Sequence, residues 1–208
     1  MPDVDKSEYW EKRYTASQAG WDLRTPTPVF MAWFQRTNIP AGKMLVPGCG
    51  TGNDAVFFAQ QGFEVTAVDF AASAIAATEE NARHANVKLT ALEEDVFELP
   101  HTFSEEFDYV LEYTCFCAIS PERRAEWINV VYSILKPNGL LIGLFFPIDG
   151  REGGPPFAVS IEEIHALLER DFTLVESANP AESVSPRRGK EVLTVWKKNI
   201  GKLTTDSE

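Results

Sequence analysis

The sequence predicts one α/β domain with an open, largely parallel sheet, and three observations lead there. Met44 to Val46 is a short apolar run stopped by Pro47, and the glycines Gly48, Gly50 and Gly52 follow it before an apolar helical stretch. Gly62 ends that stretch, and residues 63–68 alternate upward to Asp69, completing a strand–turn–helix–strand unit. Five further strand-like runs, most of them separated by helical patterns, occupy the rest of the chain. A length of 208 residues suffices for a full sheet with helices on both faces.

Residues 1–40 read as an arm outside the sheet. Ser7 to Tyr14 has the pattern of an amphipathic helix capped by Ser7 and carrying Tyr9, Trp10 and Tyr14. A loop holding Trp21, Pro26 and Pro28 leads into a second helix, Val29 to Thr37, where Trp33 reads as a packing residue. Trp10 and Trp21 are candidates to face a ligand, because aromatic faces suit both a planar ring and a cation.

The α/β core is expected over 41–198. Asn53 or Asp54 is placed to cap the helix after the glycine turn. Residues 71–86 predict an alanine-rich helix, 87–92 a third strand and 107–114 a fourth. A helix over 122–135 buries a stripe of Trp127, Val130, Val131 and Ile134; Lys136 to Gly139 then reads as a turn before a fifth strand, 140–146. The glycine- and proline-rich loop 147–156 is long enough to cover a site. Ser160 caps a helix over 161–169, and 172–177 with 192–197 close the sheet as an antiparallel pair. Residues 199–208 read as a polar tail.

Charge narrows the function. There are 19 Lys and Arg against 31 Asp and Glu, a net charge of −12, which repels phosphate backbones and argues against a nucleic-acid partner. No run has membrane-spanning length, and the charged start MPDVDKSEYW lacks an apolar leader segment, so a cytoplasmic, monomeric protein is expected. Cys49, Cys115 and Cys117 have no metal-type or disulfide-type spacing, so no metal is expected. Arg187, Arg188 and Lys190 form the one basic cluster, which reads as a solvated loop or as a guide for anions.

The glycine spacing separates possible cofactors. A dinucleotide site wants G-x-G-x-x-G, whereas here the glycines fall as G-x-G-x-G, with Asn53 in the third dinucleotide position and no lysine for a phosphate loop. That pattern resembles the first motif of the S-adenosylmethionine-dependent methyltransferases. Asp69, at the end of the second strand, is placed to bond both hydroxyls of a ribose. Asp95 and Val96, just beyond the third strand, suit an adenine through its amine and its ring. Glu112, Tyr113 and Thr114 end the fourth strand, at the edge where open α/β sheets bind ligands.

Over nearly its whole length the chain resembles the thiopurine methyltransferase superfamily, and especially its plant-type halide/thiol methyltransferase branch. The resemblance is carried by YWEKRY, by VPGCGTGND, AVDF, EDVF and FDYVLEY, and by FCAISPE-R, LKPNG, EGGPPF and RRGKE. It implies a seven-stranded Rossmann-like methyltransferase sheet, five parallel strands plus an antiparallel hairpin, closed by the N-terminal helical arm. It also implies S-adenosylmethionine as cofactor, with Trp10, Tyr14 and Trp21 walling it, Gly48 at its methionine part, Asp69 at its ribose and Asp95 with Val96 at its adenine. Where thiopurine-type members carry Asp-Arg at the end of the fourth strand, this chain has Glu112-Tyr113. The change points toward the branch whose acceptors are small anions such as bisulfide, thiocyanate and halides.

The expected reaction is an in-line displacement at the sulfonium methyl by a small soft nucleophile. Such a step gains most from orientation in a dry pocket and needs little acid–base help, which fits the scattered placement of His84, His101 and His165. Tyr113 is the candidate catalytic hydroxyl, orienting the anion or steadying the cofactor carboxylate, with Phe116 and Phe157 as apolar walls of the substrate pocket. The rival readings are a methyltransferase for a larger thiol, oxygen or nitrogen acceptor, with Glu112 as its base, and a cofactor-binding protein without turnover.

Overall fold

The computed structural model describes residues 3–16 and 18–200. The unit around the glycine turn forms as its sequence pattern predicts. β1 (Lys43–Pro47) runs parallel to β2 (Glu64–Asp69), and α3 (Asn53–Gln60) connects them. α4 (Ala72–His84) leads to β3 (Thr90–Glu93), a strand shorter than its apolar pattern because Asn86 takes a left-handed φ of 54° and Val87 still bonds back to the end of α4. A short 3-10 turn (Val96–Glu98) and α5 (Leu99–Thr102) precede β4 (Phe107–Tyr113). α6 (Arg124–Ile134), entered through a second 3-10 turn (Pro121–Arg123), precedes β5 (Leu135–Phe145); α7 (Ile161–Leu168), β6 (Phe172–Ala178) and β7 (Val192–Lys198) complete the order.

The seven strands form one sheet in the order β3-β2-β1-β4-β5-β7-β6. β3, β2, β1, β4 and β5 are mutually parallel; β7 runs antiparallel to both β5 and β6. Strand order reverses between β1 and β4, so their carboxyl ends open the crevice where ligands bind in such sheets. Side-chain alternation splits the core into two layers. Val110, Leu141 and Phe145 pack with Trp127, Ile134 and Ile164 of α6 and α7, whereas Leu111, Ile142 and Leu144 pack with Phe30 and Trp33 of α2 (Pro28–Thr37) and Phe58 of α3. No helix among the described residues is long and apolar enough to cross a membrane.

Three local expectations are corrected. Lys136 to Gly139 is not a turn before the strand but a bulge inside β5, because Leu135 already pairs with Phe107 and Leu140 with Tyr109. Ser7 opens α1 (Ser7–Thr15) without capping it, the cap position being Lys6 with no side-chain bond. Neither Asn53 nor Asp54 caps α3; Gly52 holds that position at a φ of 75°. The cap of Ser160 on α7 is present, its hydroxyl accepting from the Glu163 amide. Of the expected tail, residues 201–208 lie outside the described residues.

Asp54 is engaged with the arm instead. Its carboxylate accepts from the amide and hydroxyl of Thr27, at 2.7 and 2.8 Å, immediately before α2 (Pro28–Thr37). Desolvation beneath the arm pushes this carboxyl up to about 6. Asp22 makes a second anchor, accepting from Thr51 Oγ1 at 3.0 Å and Asn53 Nδ2 at 2.9 Å. Glu11 of α1 makes a third by accepting from the amide and hydroxyl of Ser73, at the positive end of α4.

Thr27→Ala removes one of two donors from a desolvated carboxylate, which costs about 1–3 kcal/mol. The expected result is a thermal midpoint lower by roughly 2–12 °C. An unchanged midpoint in a melting scan would show that the arm is not held through this contact.

Candidate functional site

The site begins with the backbone of the glycine turn. Gly48 and Gly52 have φ of +58° and +75°, and a Cβ on either would fall within 2.9 Å of Cys115 or 2.6 Å of Thr78. Only glycine lets the turn lie this close to the loop after β4 and to α4. The turn is then fixed by its own polar groups. Cys49 N donates to Val68 O at 2.9 Å and Gly50 N to Asp69 Oδ2 at 3.0 Å, while Thr78 Oγ1 donates to Gly50 O at 2.9 Å.

A cavity of about 140 Å³ opens above this turn, at the carboxyl ends of β1, β2 and β4. Its roof comes from the arm, where Trp21 meets Trp10 and Tyr14 edge-on at centroid distances of 5.5 and 5.6 Å. Asp69, Asp95 and Val96 line the side toward β2 and β3. Thr114, Cys115 and Cys117, beyond β4, line the opposite side together with Phe146, Pro155 and Pro156. A smaller hollow of about 60 Å³ adjoins it across Trp21, Gly48 and Thr114, and takes in Asp22, Gly50, Asp54 and Tyr113.

Seven of the residues singled out in the sequence thus meet at one cavity: Trp10, Tyr14, Trp21, Gly48, Asp69, Asp95 and Val96. Tyr113 does not line it. Its ring points to the other face of the sheet, against Phe30, and lines the smaller hollow. Phe116 and Phe157 stand behind the wall. Phe116 packs into Trp127 and Phe145, and Phe157 bonds Cys117 O through its amide at 2.8 Å. Their neighbours Cys115, Cys117, Pro155 and Pro156 provide the lining instead. Glu112 also turns away from both hollows; it is 1% exposed and accepts from Phe116 N at 2.8 Å. The sequence reading did not pick out Phe146, although its place at the end of a parallel strand was a usable signal.

The charges around the cavity follow from burial. Asp69 is pushed up to about 6 by burial, against the opposing pull of amides from Ala71 and Gly50. Burial also raises the Cys117 thiol to about 12 and Cys115 well above its usual range, so both stay neutral and unreactive at physiological pH. Tyr113 is raised by burial and stays a phenol. It donates to Glu191 at 2.6 Å and accepts from Arg187. Arg187 is 7% exposed and donates to Trp21 O at 2.6 Å, and its guanidinium lies 5.0 and 5.1 Å from the ring centroids of Tyr113 and Phe146. Among the described residues no carboxylate forms an ion pair with it.

These features suit S-adenosylmethionine. The missing Cβ at Gly48 lets Cys115 close against the turn, so that bare backbone and a thiol together line the cavity there. Each Asp69 oxygen takes one backbone amide and retains a lone pair for a ribose hydroxyl. Asp95 spends Oδ1 on Phe97 N at 3.0 Å and keeps acceptor capacity at Oδ2 for an amine.

Comparison with known proteins agrees. The family model for thiopurine S-methyltransferase matches residues 5–206. "Probable thiol methyltransferase 2" of Arabidopsis thaliana is 39% identical over 193 residues, covering 91% of this chain and 84% of the relative. "Thiocyanate methyltransferase 1" of Brassica oleracea is 35% identical over 201 residues, covering 95% and 88%. Among solved structures, the Burkholderia thailandensis 1,6-didemethyltoxoflavin-N1-methyltransferase with bound S-adenosylhomocysteine superposes with a TM-score of 0.75 at 20% identity, covering 93% of this chain and 87% of that one. The seven-stranded Rossmann-like methyltransferase fold implied by the sequence is therefore the observed one.

Glu112 yields a pH prediction. Burial is the main cause that pushes its carboxyl up to about 8, with Cys115, Cys117 and Arg124 as the titratable or charged groups around it. Because the folded-state value lies above the unfolded one of about 4.3, its contribution is fully present below that lower value and is lost as pH rises through about 8. Glu112→Gln keeps the acceptor for Phe116 N and should flatten the decline of stability across this window. Thermal midpoints measured from pH 5 to 9 that fall equally in both proteins would contradict it.

Proposed function

The chain belongs to the thiopurine S-methyltransferase family and is an S-adenosylmethionine-dependent S-methyltransferase, and from that premise we propose that its acceptor is a small soft anion: bisulfide, thiocyanate, a halide or a small thiolate. The observation that carries this reading is the makeup of the cavity beyond β4. Thr114, Cys115, Cys117, Phe146, Pro155 and Pro156 supply apolar and sulfur surface, and no carboxylate or imidazole stands among them. An oxygen or nitrogen acceptor needs a proton removed, whereas a soft anion arrives ready to react.

The cofactor supplies an electrophilic methyl group on a sulfonium sulfur. The chain's own part is orientation and desolvation. Trp10, Tyr14 and Trp21 roof the cavity and exclude water, and their π faces suit a cation. Gly48 presents backbone to the cavity beside Cys115 of the loop beyond β4, where the methionine part of the cofactor would lie. Arg187, behind Trp21 and Phe146, brings a buried positive charge to an otherwise acidic molecule, which favours entry of an anion on that side. Tyr113 faces the hollow beside Gly48 and Gly50, a position that favours a role on the cofactor's methionine part over one on the acceptor.

Sealed-vial headspace analysis tests the acceptor class directly. Purified protein with S-adenosylmethionine should release methanethiol from bisulfide, methyl thiocyanate from thiocyanate or methyl iodide from iodide, above the no-enzyme blank. Empty headspace with intact cofactor binding would overturn the small-anion reading. Tyr113→Phe is expected to weaken S-adenosylhomocysteine binding by roughly fivefold, the loss of one buried hydrogen bond, with acceptor KM little changed. A titration showing unaltered cofactor affinity and a raised acceptor KM would return Tyr113 to the acceptor.

A further inference from the structure

We propose that Arg124 is a positioning residue that shapes the acceptor side of the cavity by tying together its two walls through a buried polar junction. The proposal rests on the reading of the region beyond β4 as the acceptor side.

Arg124 opens α6 and is 3% exposed. Its Nη1 donates to both carboxylate oxygens of Glu163 on α7, at 2.8 and 2.7 Å. Nη2 donates to Phe157 O at 3.4 Å, and the guanidinium carbon lies 4.9 Å from the ring centroid of Phe116. Phe116 N in turn donates to Glu112, and Phe157 N donates to Cys117 O at 2.8 Å. Arg124 therefore contacts both segments that line this side: the loop carrying Cys115 and Cys117, and the loop carrying Pro155 and Pro156. The junction supplies geometry rather than chemistry, since Arg124 and Glu112 themselves line neither hollow.

Because Glu112 holds Phe116 N and the Phe116 ring lies against the Arg124 guanidinium, the contacts run as one chain from β4 through the loop after it to α6 and α7.

Arg124→Lys tests it, since lysine keeps the charge but lacks the planar fork that reaches Glu163 and Phe157 together while lying against the Phe116 ring. In the full-length protein the acceptor KM should rise about tenfold or more while the S-adenosylhomocysteine Kd stays within about twofold, because small displacements of a positioning wall are costly to rate but not to cofactor binding. Amide hydrogen exchange should quicken in residues 114–118 and 154–158. Faster exchange with acceptor KM unchanged would reduce Arg124 to a structural role and overturn the proposal, as would unchanged exchange. If Arg124→Lys does not fold, Glu163→Gln decides, with the same pattern expected at about threefold in acceptor KM. Should the unaltered protein methylate none of the anions, the acceptor reading fails by itself, and exchange at the two segments still judges whether Arg124 ties them.

Discussion

One buried carboxylate holds the site together. Asp69 ends β2 at 6% exposure, and its two oxygens accept the amides of Gly50 and Ala71, while its carbonyl accepts from Glu94 N. The glycine turn, the entry to α4 and the exit from β3 are thus all positioned by one residue. The arrangement is possible because glycines at 48, 50 and 52 accept positive φ without steric cost, so the turn can wrap toward the carboxylate instead of away from it. Replacing the aspartate would release the glycine turn and the entry to α4 together, while the main-chain bond to Glu94 would remain.

The acidity of the chain has a second use beyond solubility. Glu11, Asp22 and Asp54 all fasten the arm to the core, and each does so by accepting from backbone amides, hydroxyls or a side-chain amide rather than by pairing with a cation. Hydrogen bonds to an ionised acceptor are stronger than those between neutral groups and less screened than exposed ion pairs. The arm carries the aromatic roof, so these carboxylates set where Trp10, Tyr14 and Trp21 stand over the glycine turn. A negative net charge and a roofed cavity are in this respect parts of one construction.

Much of this was legible in the sequence, for identifiable reasons. The glycine spacing, the alternating strand and its terminal Asp69 are local signals read over a few residues, and the sheet topology follows from their repetition. The failures came where a decision needed the third dimension. Glu112 and Tyr113 are adjacent in sequence, yet strand alternation sends Glu112 toward α6 and Tyr113 toward α2, so they cannot share a pocket. Phe116 and Phe157 carry the apolar bulk expected of a wall, but bulk favours the core, and the smaller Cys117 and Pro156 next to them face the cavity. Arg124 and Arg187 gave no periodic signal, because an arginine in a helix or a turn reads as surface until its burial is known.

The distribution of ionisable groups also accounts for what the site avoids. Three thiols lie in or beside a cavity where a methyl group is to be moved, and thiolates would compete for it. Burial raises all three out of the ionised range, with the nearby Asp69 carboxylate raising Cys49 and Cys115 further and Glu112 adding to the effect on Cys115 and Cys117. For the proposed small-anion acceptor, the same low dielectric that silences the chain's own sulfur atoms would strip water from the incoming nucleophile and sharpen its nucleophilicity. A general base placed there would work against both ends, since a carboxylate beyond β4 would repel the anion. A neutral, polarisable wall with a buried guanidinium behind it lets the acceptor bring its own charge, and leaves the geometry held by Asp69, the arm and the Arg124 junction to set the line of attack.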